Sequence, residues 1–110
     1  MPKPVRLRAM AVADVDDAIR YYLQEAGPEV AWGFIDGLER AYKHLGRQPA
    51  TGSPRYAHEL NLPGLRSWPL TQYPYLVFYV EQADHVDVWR VLHSARDMPA
   101  WLGEGEPALP

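Results

Sequence analysis

An α+β fold follows from three features of the sequence: alternating strand signals, two long apolar stripes at helical spacing, and the order in which they occur. Val5-Arg6-Leu7-Arg8-Ala9 alternates apolar and basic residues, the period of a half-buried strand. Two amphipathic stretches follow, then three strand-like stretches rich in aromatic and branched residues. The order strand, helix, helix, meander predicts an N-terminal strand, an antiparallel helical hairpin packed on an antiparallel sheet, and a short C-terminal helix.

The first helix is expected to begin at Asp14, an N-cap residue type, with Asp17 favourable near the helix N-terminus. Val15, Ala18, Ile19, Tyr22, Leu23 and Ala26 then recur on one face. Gly27-Pro28 closes this helix and opens the next, since glycine suits a helix end and proline the first helical position. The second helix carries Ala31, Phe34, Ile35, Leu38, Ala41, Tyr42 and Leu45 on one stripe and ends near Gly46, before Pro49. So short a link folds the two back on each other. Residues 50–54 read as a loop. Strands are expected over 66–70, 75–81 and 85–93, with a turn at Gln82-Ala83-Asp84. A last short helix follows over 97–102, with Pro99 in its first turn. Residues 1–102 thus form one domain, and the Gly/Pro/Glu-rich 103–110 a flexible tail.

With 110 residues and no cysteine, the chain suits one core without disulfides, thiol catalysis or Cys-ligated zinc. A net charge of −3 argues against a dedicated nucleic-acid binder. No stretch has the length of a membrane span or the pattern of a secretory signal, so a cytoplasmic location is expected. Charge is uneven: 1–13 and 47–70 are net positive, 14–46 and 71–110 net negative, a pattern read as solvated helix faces.

His44, His58, His85 and His93 are scattered without metal-ligand spacing, so neither a metal nor a cofactor is expected. Ser94, His93 and Asp97 spell a triad by composition only. Gly33 and Gly37, one turn apart, predict close packing inside the hairpin or across a partner interface. The richest stretch is Arg90-Val91-Leu92-His93-Ser94-Ala95-Arg96-Asp97, where a strand ends among donors. A metal-free ribonuclease uses such residues, with histidine as acid or base and arginine on the scissile phosphate. The structural alternative, which the pattern favours, has Arg96 and Asp97 locking the last helix to the sheet. Strand alternation sends Arg90 and His93 to opposite faces unless a bulge intervenes.

Three segments in order, Leu62-Pro63-Gly64-Leu65-Arg66-Ser67-Trp68-Pro69-Leu70, Tyr73-Pro74-Tyr75-Leu76-Val77-Phe78-Tyr79 and Val88-Trp89-Arg90-Val91-Leu92-His93-Ser94-Ala95-Arg96-Asp97, resemble the ParE branch of the RelE/ParE toxins. The resemblance extends from Val5 to about Leu102. It implies the toxin of a type II toxin–antitoxin system, bound by a ParD-like antitoxin that reads DNA through its own N-terminal domain. ParE members block DNA gyrase, whereas RelE members cut messenger RNA on the ribosome with a lysine-rich face and a C-terminal tyrosine. Here Lys3 and Lys43 lie outside the sheet half and no tyrosine follows Tyr79, which turns the expectation toward gyrase. A gyrase contact is expected at Arg66, Arg90, Arg96 and Trp101, arginine and tryptophan being frequent interface hot spots. The competing surface is the acidic hairpin with Asp36 and Glu39. An RNA-cleaving reading would use Arg66, Arg90 and His93. A third reading is a family member that binds only its antitoxin. No membrane association and no sequence-specific DNA binding by this chain itself are expected.

Overall fold

The strand signals of the second half become β2 (Leu65–Pro69), β3 (Tyr75–Glu81) and β4 (Val86–His93), which run antiparallel in sequence order. The N-terminal strand β1 (Val5–Leu7) joins the far side of β4 in parallel register, Val5 opposite Val86 and Leu7 opposite Val88. The order β1-β4-β3-β2 makes the sheet mixed rather than wholly antiparallel. β1 reaches its neighbour β4 only through all the intervening helices and the strands β2 and β3, and so long a connection permits parallel pairing where a turn would not. The computed structural model describes residues 1–104, with side chains to Leu102. Gly103 and Glu104 belong to a helix, and the rest of the expected flexible tail lies outside the described residues.

Between β1 and β2 come α1 (Ala9–Glu25), α2 (Pro28–Arg47), a 3-10 turn (Pro49–Thr51) and α3 (Arg55–Leu60); α4 (Met98–Glu104) ends the fold. Gly27 links α1 to α2 at φ +96°, a value that favours glycine, and Pro28 starts α2 as expected. The expected N-cap at Asp14 is corrected: α1 starts at Ala9, after Arg8 in extended conformation. Ala9, Met10, Ala11, Val12 and Ala13 are all compatible with helix, so nothing delays it until Asp14. The strand alternation accordingly stops at Leu7.

The sheet has a core on each face. Against one face the hairpin buries Ala11, Ala18, Phe34, Leu38, Ala41 and Leu45 with Val77, Tyr79, Val86, Val88 and Val91. On the other, Leu65, Phe78 and Leu92 form a second cluster with Met98 and Leu102 of α4, flanked by Tyr56, Ala57 and Leu60 of α3. The short α3, absent from the sequence reading, ends at Asn61 in the left-handed conformation.

The close approach predicted at Gly33 and Gly37 is made by a tyrosine, not by a helix. Tyr73, from the β2–β3 connection, donates its hydroxyl to the Val30 carbonyl at 3.1 Å and lies where a Cβ on Gly33 would collide with it. Tyr22 and Phe34 pack edge-on against that ring, and Tyr75 packs edge-on against both of them.

Two tyrosines with buried hydroxyls are predicted to respond oppositely to loss of that group. Tyr79, fully buried, donates to the Pro49 carbonyl at 2.6 Å and accepts from the Gly52 N–H at 3.0 Å. Tyr79→Phe strands both groups and costs about 1–3 kcal/mol. The buried Tyr42 hydroxyl has no partner among the described residues, and burial pushes the phenol up to about 12. Tyr42→Phe is therefore expected to stabilise by about 1 kcal/mol. Because the raised value favours the protonated form in the fold, the contribution of Tyr42 is intact below about pH 10 and is lost as pH climbs through about 12. Urea unfolding of both variants at neutral and alkaline pH checks the two signs; a smaller alkaline loss is expected for Tyr42→Phe.

Candidate functional site

β1 is three residues long and covers β4 only from Val86 to Val88. A bulge follows: Phe78 lies opposite Arg90 and Tyr79 opposite Val88, which leaves Trp89 as the extra residue. Beyond the bulge the outer edge of β4 is served by a side chain. The Asp14 carboxylate accepts the Val91 N–H at 3.0 Å and grips Arg90 with two further bonds, from Nε at 2.7 Å and Nη2 at 2.8 Å. Such fork-shaped pairing with a guanidinium is strong and directional. Nη1 of Arg90 donates to the Trp101 carbonyl of α4 at 2.9 Å. One buried cation thereby joins α1 over one sheet face, the strand edge, and α4 on the other face.

Beside this knot opens a cavity of about 500 Å³, lined by Asp14, Asp17, Tyr21, Tyr22 and Ala18 of α1 together with Pro74, Tyr75, His93, Arg96 and Trp101. Burial pushes the Tyr22 and Tyr75 phenols up, and the nearby Arg96 charge draws Tyr75 partly back. The His93 ring packs edge-on against Tyr75, and its Nδ1 accepts the Ala95 N–H at 3.1 Å. That bond orients the ring and places the proton of the neutral imidazole on Nε2. Arg96 lies over the Trp101 ring with its guanidinium carbon 4.0 Å from the centroid, a cation–π contact. The Arg96 side chain is exposed and Trp101 half-buried, so the pair forms the rim of the cavity.

The residues singled out from the sequence are thus distributed unequally. His93, Arg96 and Trp101 come together. Arg90 sits directly behind them but is 2% exposed and bound to Asp14. Its place is in the scaffold, and it offers no surface to a target. As alternation required, Arg90 and His93 remain on opposite faces, because the bulge lies before Arg90 and not between them. Arg66 is elsewhere: it belongs to β2, the opposite edge strand, donates to the Gly52 carbonyl at 2.7 Å, and lines a groove with His58 and Asn61. Asp97 is exposed, and its backbone carbonyl accepts the Trp101 N–H in the first turn of α4. The attachment of α4 runs through Arg90, the Arg96–Trp101 stack, Met98 and Leu102. Asp14 was missed as a site residue. Its signal was its position three residues after Ala11 and four before Ala18, on the buried side of α1, where a carboxylate needs a cationic partner.

The comparison with curated proteins finds no match. Among solved structures, the chromosomal ParDE TA system from P. aeruginosa includes a chain that superposes with a TM-score of 0.70 at 20% sequence identity, over 83% of this chain and 95% of that one. This shows a shared fold. The family model for the ParE toxin of type II toxin-antitoxin system, parDE, matches residues 5–98, which includes β1, the hairpin, the whole sheet and the start of α4. By that match the chain belongs to the ParE toxin family of type II toxin–antitoxin systems.

Proposed function

We propose that this ParE-family toxin inhibits DNA gyrase by binding it directly, without chemistry of its own. The family implies an antitoxin partner, and in this reading a ParD-like antitoxin neutralises the toxin in the cytoplasm by covering the same half of the molecule. The observation that carries the reading is the separation of the three residues an RNA-cleaving site would use. Arg66 and Arg90 stand on β2 and β4 with β3 between them, about 10 Å apart across the sheet. Arg90 is held by Asp14, and His93 faces a cavity walled by tyrosines. A clamp on one scissile phosphate needs its donors convergent on that phosphate.

The cavity rim offers what a protein contact uses. Arg96 is exposed and oriented by Trp101, and Tyr21, 56% exposed, stands across from them on α1. Arginine, tryptophan and tyrosine are the residue types that dominate binding energy at interfaces. Arg66, on the far edge strand, lies outside this rim and makes at most a separate contact.

Overexpression without antitoxin tests the reading. Growth arrest with induction of the DNA-damage response is the expected result. Loss of translation with cut messages would transfer the protein to the RNA-cleaving class, and normal growth would leave only the antitoxin-binding module. His93→Ala is expected to keep full toxicity as long as it folds. A folded His93→Ala protein that loses an RNA-cleaving activity present in the parent overturns the proposal.

A further inference from the structure

The solvent face of α2 has a charge order that the hairpin does not use. Glu29, Trp32, Asp36, Arg40, Lys43 and Arg47 are all exposed, and Trp32 retains 64% of its surface. At 3.6 residues per turn they fall within about 80° of one another, opposite the stripe of Ala31, Phe34, Leu38 and Leu45 that enters the core. The N-terminal half of this face is acidic and the C-terminal half basic, with the exposed Glu39 at its margin beside Trp32. None of its charged side chains forms an ion pair among the described residues. Glu29 and Arg47 complement the helix ends, where such charges are favourable. Asp36, Arg40 and the exposed tryptophan have no such account.

The order is symmetric about Leu38. Glu29 and Arg47 stand nine residues on either side of it, and Asp36 and Arg40 two residues on either side. A helix with this arrangement is complementary to itself run backwards. We infer that a second copy of this chain docks here, α2 against α2 in antiparallel alignment about a two-fold axis at the level of Leu38. Asp36 of each copy then meets Arg40 of the other, Glu29 meets Arg47, and each Trp32 lies on the side of Lys43 of the second copy, within reach of a cation–π contact. Residue i meeting j while j meets i is the rule of an isologous dimer. Parallel packing would set acid on acid and base on base along the same face. A nucleic-acid duplex or an acidic peptide laid along this helix of 20 residues, about 30 Å, would meet Glu29, Asp36 and Glu39 as well as the cations. Only a partner with the reverse charge order fits the whole length, and this chain supplies one. The inference stands apart from the proposed gyrase contact at Arg96, Trp101 and Tyr21 and uses none of those residues.

Exposed ion pairs are individually weak, so the dimer is expected to be reversible and salt-sensitive. Sedimentation equilibrium of the full chain at low ionic strength should show monomers and dimers in concentration-dependent exchange, shifting toward monomer with added salt. Asp36→Arg and Arg40→Glu each replace two symmetric attractions by repulsions and should weaken dimerisation by roughly tenfold. Mixed together, the two single variants should pair with each other, and the double variant Asp36→Arg/Arg40→Glu should regain the parent's association. Circular dichroism checks that the variants fold, which their exposed positions favour. A parent that stays monomeric at every concentration overturns the inference, as do single variants that associate like the parent. So does a monomeric parent that binds a probe duplex of mixed-sequence DNA through Arg40 and Lys43.

Discussion

Replacing Asp14 by alanine is expected to destabilise the fold by about 3–5 kcal/mol, because it breaks a buried ion pair by removing the carboxylate that grips Arg90 with two hydrogen bonds. The Arg90 and Asp14 side chains are 3% and 11% exposed, so water cannot replace the lost carboxylate at the guanidinium. The Val91 N–H loses its acceptor in the same step. Removing both charges tests the cause. Asp14→Ala/Arg90→Met removes both members of the buried pair and should recover a large part of the loss, as paired replacement of buried charges does elsewhere. Urea denaturation of the two single variants and the double variant gives the coupling. Losses that simply add, or an Asp14→Ala protein within about 1 kcal/mol of the parent, would show that the pair does not hold α1, β4 and α4 together.

The second large effect is expected at α4. Met98 and Leu102 are 3% and 1% exposed in the cluster with Leu65, Phe78 and Leu92. Met98→Ala and Leu102→Ala should each cost about 2–5 kcal/mol, the usual range for truncating a buried side chain of this size. A chain ending at Ala95 loses both anchors, the Arg96–Trp101 stack and the carbonyl that Arg90 uses. It is expected to expose the face of the sheet carrying Phe78 and Leu92, and to melt at least 10 °C below the parent or not to fold. Thermal melts of Leu102→Ala and of the shortened chain decide this. An unchanged melting temperature in both would mean that α4 is not docked.

The elements legible in the sequence were those whose signal is local. The run Tyr75 to Glu81 has the branched and aromatic composition of a strand and is one, and the Gly27-Pro28 step carries its turn in its own residue types. What escaped depends on partners distant in sequence. Nothing within Val5–Leu7 says that it will lie parallel to Val86–Val88, some eighty residues on. Asp14 resembled an N-cap because its true partner, Arg90, is remote. Residues 55–60 make too few helical turns for a periodicity to show. At the candidate site, His93, Arg96 and Trp101 were within reach of sequence reasoning because they are close in the chain. That Arg90 turns inward and Arg66 lies across the sheet is set by the bulge and the strand order, which no short motif encodes.

In the proposed function the protein binds gyrase and has no RNA-cleaving chemistry. The most direct test of that proposal measures, with purified components, the binding of the toxin to DNA gyrase and its inhibition of supercoiling, alongside the integrity of messenger RNA in a ribosome reaction. The account predicts saturable binding with inhibition by the parent and by His93→Ala, intact RNA with both, and at least roughly tenfold weaker binding for Arg96→Glu, an exchange at a hot-spot residue type. A parent that leaves supercoiling untouched at saturating concentration while cutting ribosome-bound RNA would contradict it.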